Sequence, residues 1–138
     1  MTQDSQGVRS DSPMIMDALD HSECLSILAA APPEAVIAHA EALIPRLGEP
    51  DIISNRTVLT TLPHIGEVLV TEVCLLLADG TEGYSAILGT DSAHAVAVAI
   101  LDAALIAHPD DGIGTDILAF INTQADALAH AERELEPA

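Results

Sequence analysis

The chain has no lysine and no tryptophan, one tyrosine, one phenylalanine and two cysteines, and nowhere eighteen apolar residues in a row. Its only strong cations are four arginines, set against twenty-two acids for a formal net charge of −18. Nucleic-acid binding draws its affinity from Lys and Arg that release counterions from phosphates, so this balance excludes it. An anionic membrane surface is excluded on the same ground. A free anionic substrate would be repelled too, although screening over about 8 Å blunts that effect at physiological salt. The natural complement is a basic protein surface. Acidity that simply keeps an alanine-rich chain in solution is the other explanation.

The shortage of aromatics leaves the core to Ala, Val, Ile and Leu. These pack closely but bury little area each, at roughly 25 cal/mol per Å². Cys24 and Cys74 lie fifty residues apart and match no C-x-x-C spacing, so neither a disulfide framework nor an iron-sulfur site is expected, and both are read as reduced, buried thiols. With no basic leader followed by an apolar run and no spanning stretch, cytoplasmic residence is the expectation. The length suits one domain. Residues 1–12 are polar and aperiodic and read as a disordered tail, with a single domain over 13–138.

The pattern predicts an α+β fold. Ile15, Met16, Leu19, Leu25, Ile27 and Leu28 suggest a first helix, ended by Pro32 and Pro33. Val36, Ala40, Leu43 and Leu47 then share a face of a second helix closed by Gly48, giving an N-terminal helical hairpin. Residues 52–62, β-branched and closed by Pro63, read as a strand at an edge. Two apolar runs, 68–77 and 82–88, flank Asp79-Gly80, a pair suited to a two-residue hairpin turn with positive φ at both positions. The antiparallel sheet thus has at least three strands. Both faces of 68–77 are mainly apolar, which calls for helices on one side and a partner on the other. Asp91 caps a helix over 92–107 that is apolar nearly all round and needs cover on both sides. A last helix, capped by Thr115 or Asp116, carries Ile117, Phe120, Ile121, Ala125 and Leu128 on one face.

The stretch 66–105 carries an ordered series: Thr71, Leu77, Asp79, Gly80, Thr81, Gly83, Tyr84, Gly89, Asp91, His94, Ala95, Leu101, Asp102, Ala103 and Leu105. The series resembles the PhnG family, the G subunits of the bacterial carbon-phosphorus lyase complex, whose members read T-R-x-A-V-R-L, D-G-T-x-G-Y, G-R-D-x-x-H-A and a helix ending L-D-A-L. A weaker likeness extends back through residues 25–43. Three family arginines are replaced here, by Glu72, Leu76 and Thr90, and the family's closing F-F-T-M segment has no counterpart.

The resemblance implies a non-catalytic or co-catalytic subunit of the lyase core, taking part in replacing the adenine of ATP by an alkylphosphonate at the ribose C1. It implies no cofactor on this chain; S-adenosylmethionine and an iron-sulfur cluster belong to another subunit. Other lyase subunits are then the expected partners. The competing reading is a stand-alone homodimeric binding or scaffold protein of the same fold. Interface residues expected on either reading are Val96 and Ile100 on the helix and Glu72 on the strand.

His94, which matches the family histidine, is the best-placed candidate for catalysis, because a helix N-terminus favours a neutral imidazole able to act as a base. Its alternative role is to bond the loop around Thr90 and Asp91. His21 and Cys24, three apart on a helix, could serve zinc with a third ligand, but their polar and apolar settings argue for no metal. His108, Asp110 and Asp111 form an acidic loop cluster of the kind that is ordinarily solvated. Ser85 and Ser92 lack the G-x-S-x-G setting of a nucleophile.

Overall fold

The computed structural model describes residues 20–135, in the order α1 (His21–Ala30), α2 (Pro33–Leu47), β1 (Asp51–Leu62), β2 (Gly66–Leu76), β3 (Glu82–Leu88), α3 (Ser92–Ala107) and α4 (Gly112–Leu135). The tail read at 1–12, and Ile15, Met16 and Leu19, lie outside the described residues. The three strands form an antiparallel meander in the order β1-β2-β3, so the expected α+β architecture is present.

Three of the four helices start where a side chain accepts from their first amides, and α2 starts on Pro32-Pro33 without such a cap. Asp20 and Glu23 form a reciprocal capping box at α1, and Asp91 accepts from the His94 amide at α3. At α4 the cap is Asp111 and not Thr115 or Asp116, because its Oδ1 accepts from the Ile113 and Gly114 amides, drawing the helix start back to Gly112. The β2–β3 connection also departs from expectation. Leu77 bonds Thr81 and Gly80 through its N–H and C=O, so three residues separate the ends, with positive φ at Gly80 alone. The Asp79 carboxylate instead accepts from the Thr81 amide, and Asp79 itself has no positive φ.

α3 is the centre of the molecule. One side lies on β2 and β3 and the other meets α1, α2 and α4, so ten of its residues, His94, Ala95 and 97–104, are buried. The cover that its all-round apolarity demands comes from this chain's own helices. α1 and α2 bend by 118° at their break; α1 packs against α3 and α4, and α2 against α3, so each finds its core neighbours beyond the hairpin. The face of α2 read from the sequence, Val36, Ala40, Leu43 and Leu47, is its buried face.

Close approach between α3 and β3 sets the register. A Cβ at Gly83 would meet the Ala99 carbonyl oxygen and stand 2.7 Å from the Ala103 Cβ. Ser85 Oγ donates to the Ala95 carbonyl at 2.6 Å, and Asp102 Oδ2 accepts from the Tyr84 amide at 2.9 Å. Gly83→Ala should therefore destabilise by about 1–3 kcal/mol through overpacking, whereas Gly112→Ala, with nothing near its Cβ, should stay within about 0.5 kcal/mol of the parent. Urea unfolding of both variants checks this; equal stabilities would contradict the close packing.

Candidate interaction surface

Along β2 the side chains alternate between two environments. Thr71, Val73 and Leu75 are buried under α3, while Val70, Glu72, Cys74 and Leu76 face the other way and are only half-buried. On β3 the same alternation buries Gly83, Ser85 and Ile87 and exposes Glu82, Tyr84, Ala86 and Leu88. No element among the described residues covers this second face. Seven of the eight large apolar side chains exposed on the described chain belong to the strands and the β1–β2 turn: Tyr84 and Leu88 project from this second face, Leu59 and Leu69 are cross-strand partners on the α3 side, and Ile52, Ile53 and Ile65 lie at the ends of β1 and in the turn. Concentration of apolar exposure on one layer marks an interaction surface, since single scattered apolar residues would need no explanation.

Glu72 sits in the middle of this face. Its Oε1 takes Arg56 from β1, with Nη2 at 3.2 Å and Nε at 3.3 Å, and its Oε2 accepts from the Tyr84 hydroxyl at 3.4 Å. Arg56 and Glu72 are direct cross-strand partners, so the strand register itself brings them together. Arg56 is largely exposed, and such a pair adds little stability; its effect is to hold three side chains in one orientation across three strands. Partial burial, and then the Glu72 charge, push the Tyr84 phenol above its ordinary pKa. Cys74 lies on this face rather than in the core, because its even position in β2 points away from α3. Its Sγ donates to Glu82 Oε2 at 3.4 Å, and that bond, ahead of burial, raises its pKa.

Val96 and Ile100 lie elsewhere. They line an apolar groove of about 270 Å³ between α2 and α3, with Ile37, Ala40 and Ile44, and Ile100 is itself buried. His94 is buried at the start of α3. Its Nε2 lies 2.9 Å from the Leu28 carbonyl, which can only accept, so this nitrogen carries the proton and ties α3 to α1. The ring thus reaches across to α1, while the bond to Asp91 is made by the His94 backbone amide.

Three further histidines stand beside carboxylate side chains. His21 Nε2 stands 2.9 Å from Asp102 Oδ1, and Cys24 is buried. His108 Nδ1 stands 2.7 Å from the Asp111 cap, whose carboxyl is held below its ordinary pKa chiefly by that bond. His39 stacks on Phe120 at 4.2 Å, with Nε2 3.2 Å from Asp116 Oδ2 but without hydrogen-bond geometry. Among the described residues no group of three or more His, Cys, Asp and Glu side chains is placed to hold a metal ion.

Sequence reasoning singled out Glu72 but missed Arg56, Tyr84 and Cys74 as its companions on the open face. Strand parity held the signal: with Thr71 and Leu77 assigned to the core, every even position of β2 must face away from it.

A family model described as "Phosphonate metabolism protein PhnG" matches residues 20–136. The chain belongs to the PhnG family. No curated protein matches it closely enough to count as a relative. Family membership places the chain in phosphonate metabolism. Glu72 and Leu76, which stand where the PhnG motif carries arginine, both project from the open face. The shared Thr71, Gly83 and Asp102 lie in the packing between sheet and α3: Thr71 Oγ1 donates to the Gly89 carbonyl at 2.7 Å, Gly83 meets Ala99 and Ala103, and Asp102 holds the Tyr84 amide.

Asp102 yields a prediction with a definite sign. Burial raises its carboxyl pKa above the ordinary value, against the opposing pull of the Tyr84 amide and His21. In the window above that ordinary value, about pH 4, the native state binds more protons than the unfolded state, so this residue's contribution to stability falls as pH rises. Asp102→Asn keeps an acceptor for the amide and removes the titration. Relative to the parent it should gain stability as pH rises above about 4, the ordinary carboxylate value, read by thermal melts across a pH series. Parallel stability curves would contradict a burial-penalised carboxylate.

Proposed function

We propose that the chain is a subunit of the carbon-phosphorus lyase core, and that it assists transfer of an alkylphosphonate to the ribose C1 of ATP with release of adenine. The observation that carries this reading is the open sheet face centred on Glu72, in a member of a phosphonate-metabolism family. A face of half-buried apolar residues around one ordered ion pair has the make-up of a subunit contact, with apolar side chains and few charges. Its partners are the other lyase subunits, in the cytoplasm. The charge of −18 supports a reading in which those partners handle the anionic phosphonate and ATP. No cofactor is assigned to this chain; S-adenosylmethionine and the iron-sulfur cluster of the later radical step belong to another subunit. Among the described residues no single helix is long and apolar enough to cross a membrane.

A stand-alone homodimer would set the same face against a copy of itself. Its signature is self-association without lyase subunits.

Deleting the gene should abolish growth on methylphosphonate as sole phosphorus source and leave growth on inorganic phosphate intact. Normal growth on both would contradict the proposal. Glu72→Arg should weaken co-purification with lyase subunits on the order of ten-fold, about 1.4 kcal/mol, while Glu72→Gln, which keeps an acceptor for Tyr84, should lose less. Equal recovery of both variants and the parent would remove Glu72 from the interface.

A further inference from the structure

β1 is a twelve-residue edge strand exposed along most of its length, with no lysine and no proline. Natural sheets protect such edges, because a row of unpaired N–H and C=O groups is a template for another strand. The direction of those groups follows from two bonds. Gly89 N–H donates to the Leu69 carbonyl, and Leu77 N–H to the Thr81 carbonyl, so the odd residues of β2 address β3 and the even ones address β1. Their β1 partners Ser54, Arg56, Val58 and Thr60 therefore point inward, and the N–H and C=O groups of Asn55, Thr57, Leu59 and Thr61 point out along the free edge.

The same end of the sheet carries a second, independent feature. β3 stops at Leu88, opposite Val70, so beyond that pair β1 and β2 continue alone as a two-stranded ribbon over residues 59–69. Leu59 and Leu69 are direct cross-strand partners on the α3 side, past the reach of that helix, and are 62% and 45% exposed; Ile65 at the turn is 66% exposed. An isolated two-stranded ribbon is marginal in water, and an exposed apolar pair at its base gains nothing from solvent.

We propose that the outer edge of β1 takes an extended strand of a positively charged partner subunit, with the Leu59–Leu69 pair and Ile65 seated against apolar surface of that same partner. The proposal rests on the subunit reading above and adds to it the docking element and the mode of docking. Charge selects the occupant. Two copies of a chain at −18 repel one another on approach, whereas a cationic partner is steered in. Asp51 at one end of β1 and Glu67 opposite Thr61 add acidic groups beside the edge, against Arg56 as its one strong cation.

The test is hydrogen exchange on the parent chain, free and in the complex co-expressed with the other lyase subunits, together with co-purification of Thr61→Pro, Leu59→Asp and the α4 control Thr123→Ala. Thr61→Pro removes one outward N–H, which an edge strand tolerates, and circular dichroism checks the fold. The proposal predicts that the outward amides of β1 exchange at least ~10-fold more slowly in the complex than in the free chain. It also predicts that both β1 variants lose most of the lyase subunits while Thr123→Ala keeps them. Full recovery of the subunits by folded variants, with β1 amides exchanging alike in both states, overturns the edge proposal and leaves the subunit reading standing. A homodimer of the free chain that protects β1 overturns the cationic partner. A parent chain that recovers no lyase subunit overturns the subunit reading and this proposal with it.

Discussion

The approach of α3 to β3 at Gly83 is the constraint from which the remaining layout follows. Only a glycine on the strand lets Ala99 and Ala103 come so near, and only small helix residues offer so flat a surface. Asp102 completes the contact by holding the outward amide of Tyr84, at the cost of burying a carboxylate that His21 partly offsets. A helix so deeply set must be apolar on every side. The three other helices gather on its far side as a result, and none is left to cover the other face of the sheet. The open face is thus a consequence of how the core was built.

Much of this was legible in the sequence because the signals were local. Asp91 with an apolar run predicts α3 over its full length, and the spacing of Val36, Ala40, Leu43 and Leu47 predicts the buried face of α2. Less visible were features decided by tertiary competition. Asp111 outcompetes Thr115 as the α4 cap because His108 fixes its carboxylate, a contact that sequence order does not reveal as a cap. Asp79 uses its side chain on Thr81 and so leaves the positive φ to Gly80 alone. Cys74 looks like a core residue by type, yet the pleat turns it outward. His21 crosses to Asp102, some eighty residues on, a tie that spacing along the helix does not reveal.

The candidate surface divides in the same way. Glu72 was identifiable as a charge within an apolar strand, but its ordering by Arg56 and Tyr84 needs the register of three strands. Val96 and Ile100, chosen as outward faces of an unusually apolar helix, line a groove against α2 because the chain supplies its own cover there. Replacement of two family arginines by Glu72 and Leu76 falls on the open face, while the motif residues Thr71, Gly83 and Asp102 lie in the sheet–α3 packing. These interior residues hold the sheet on α3, and the outer face carries Glu72 and Glu82 beside Arg56. An acidic chain with Glu72 at the middle of its open face and an unguarded edge is suited to a cationic protein neighbour.

The most direct measurement of this account is native mass spectrometry of the tagged protein purified from phosphate-starved cells supplied with methylphosphonate. The account predicts one assembly in which this chain and the other lyase subunits occur in fixed, near-equal numbers. A homodimer free of lyase subunits would contradict it.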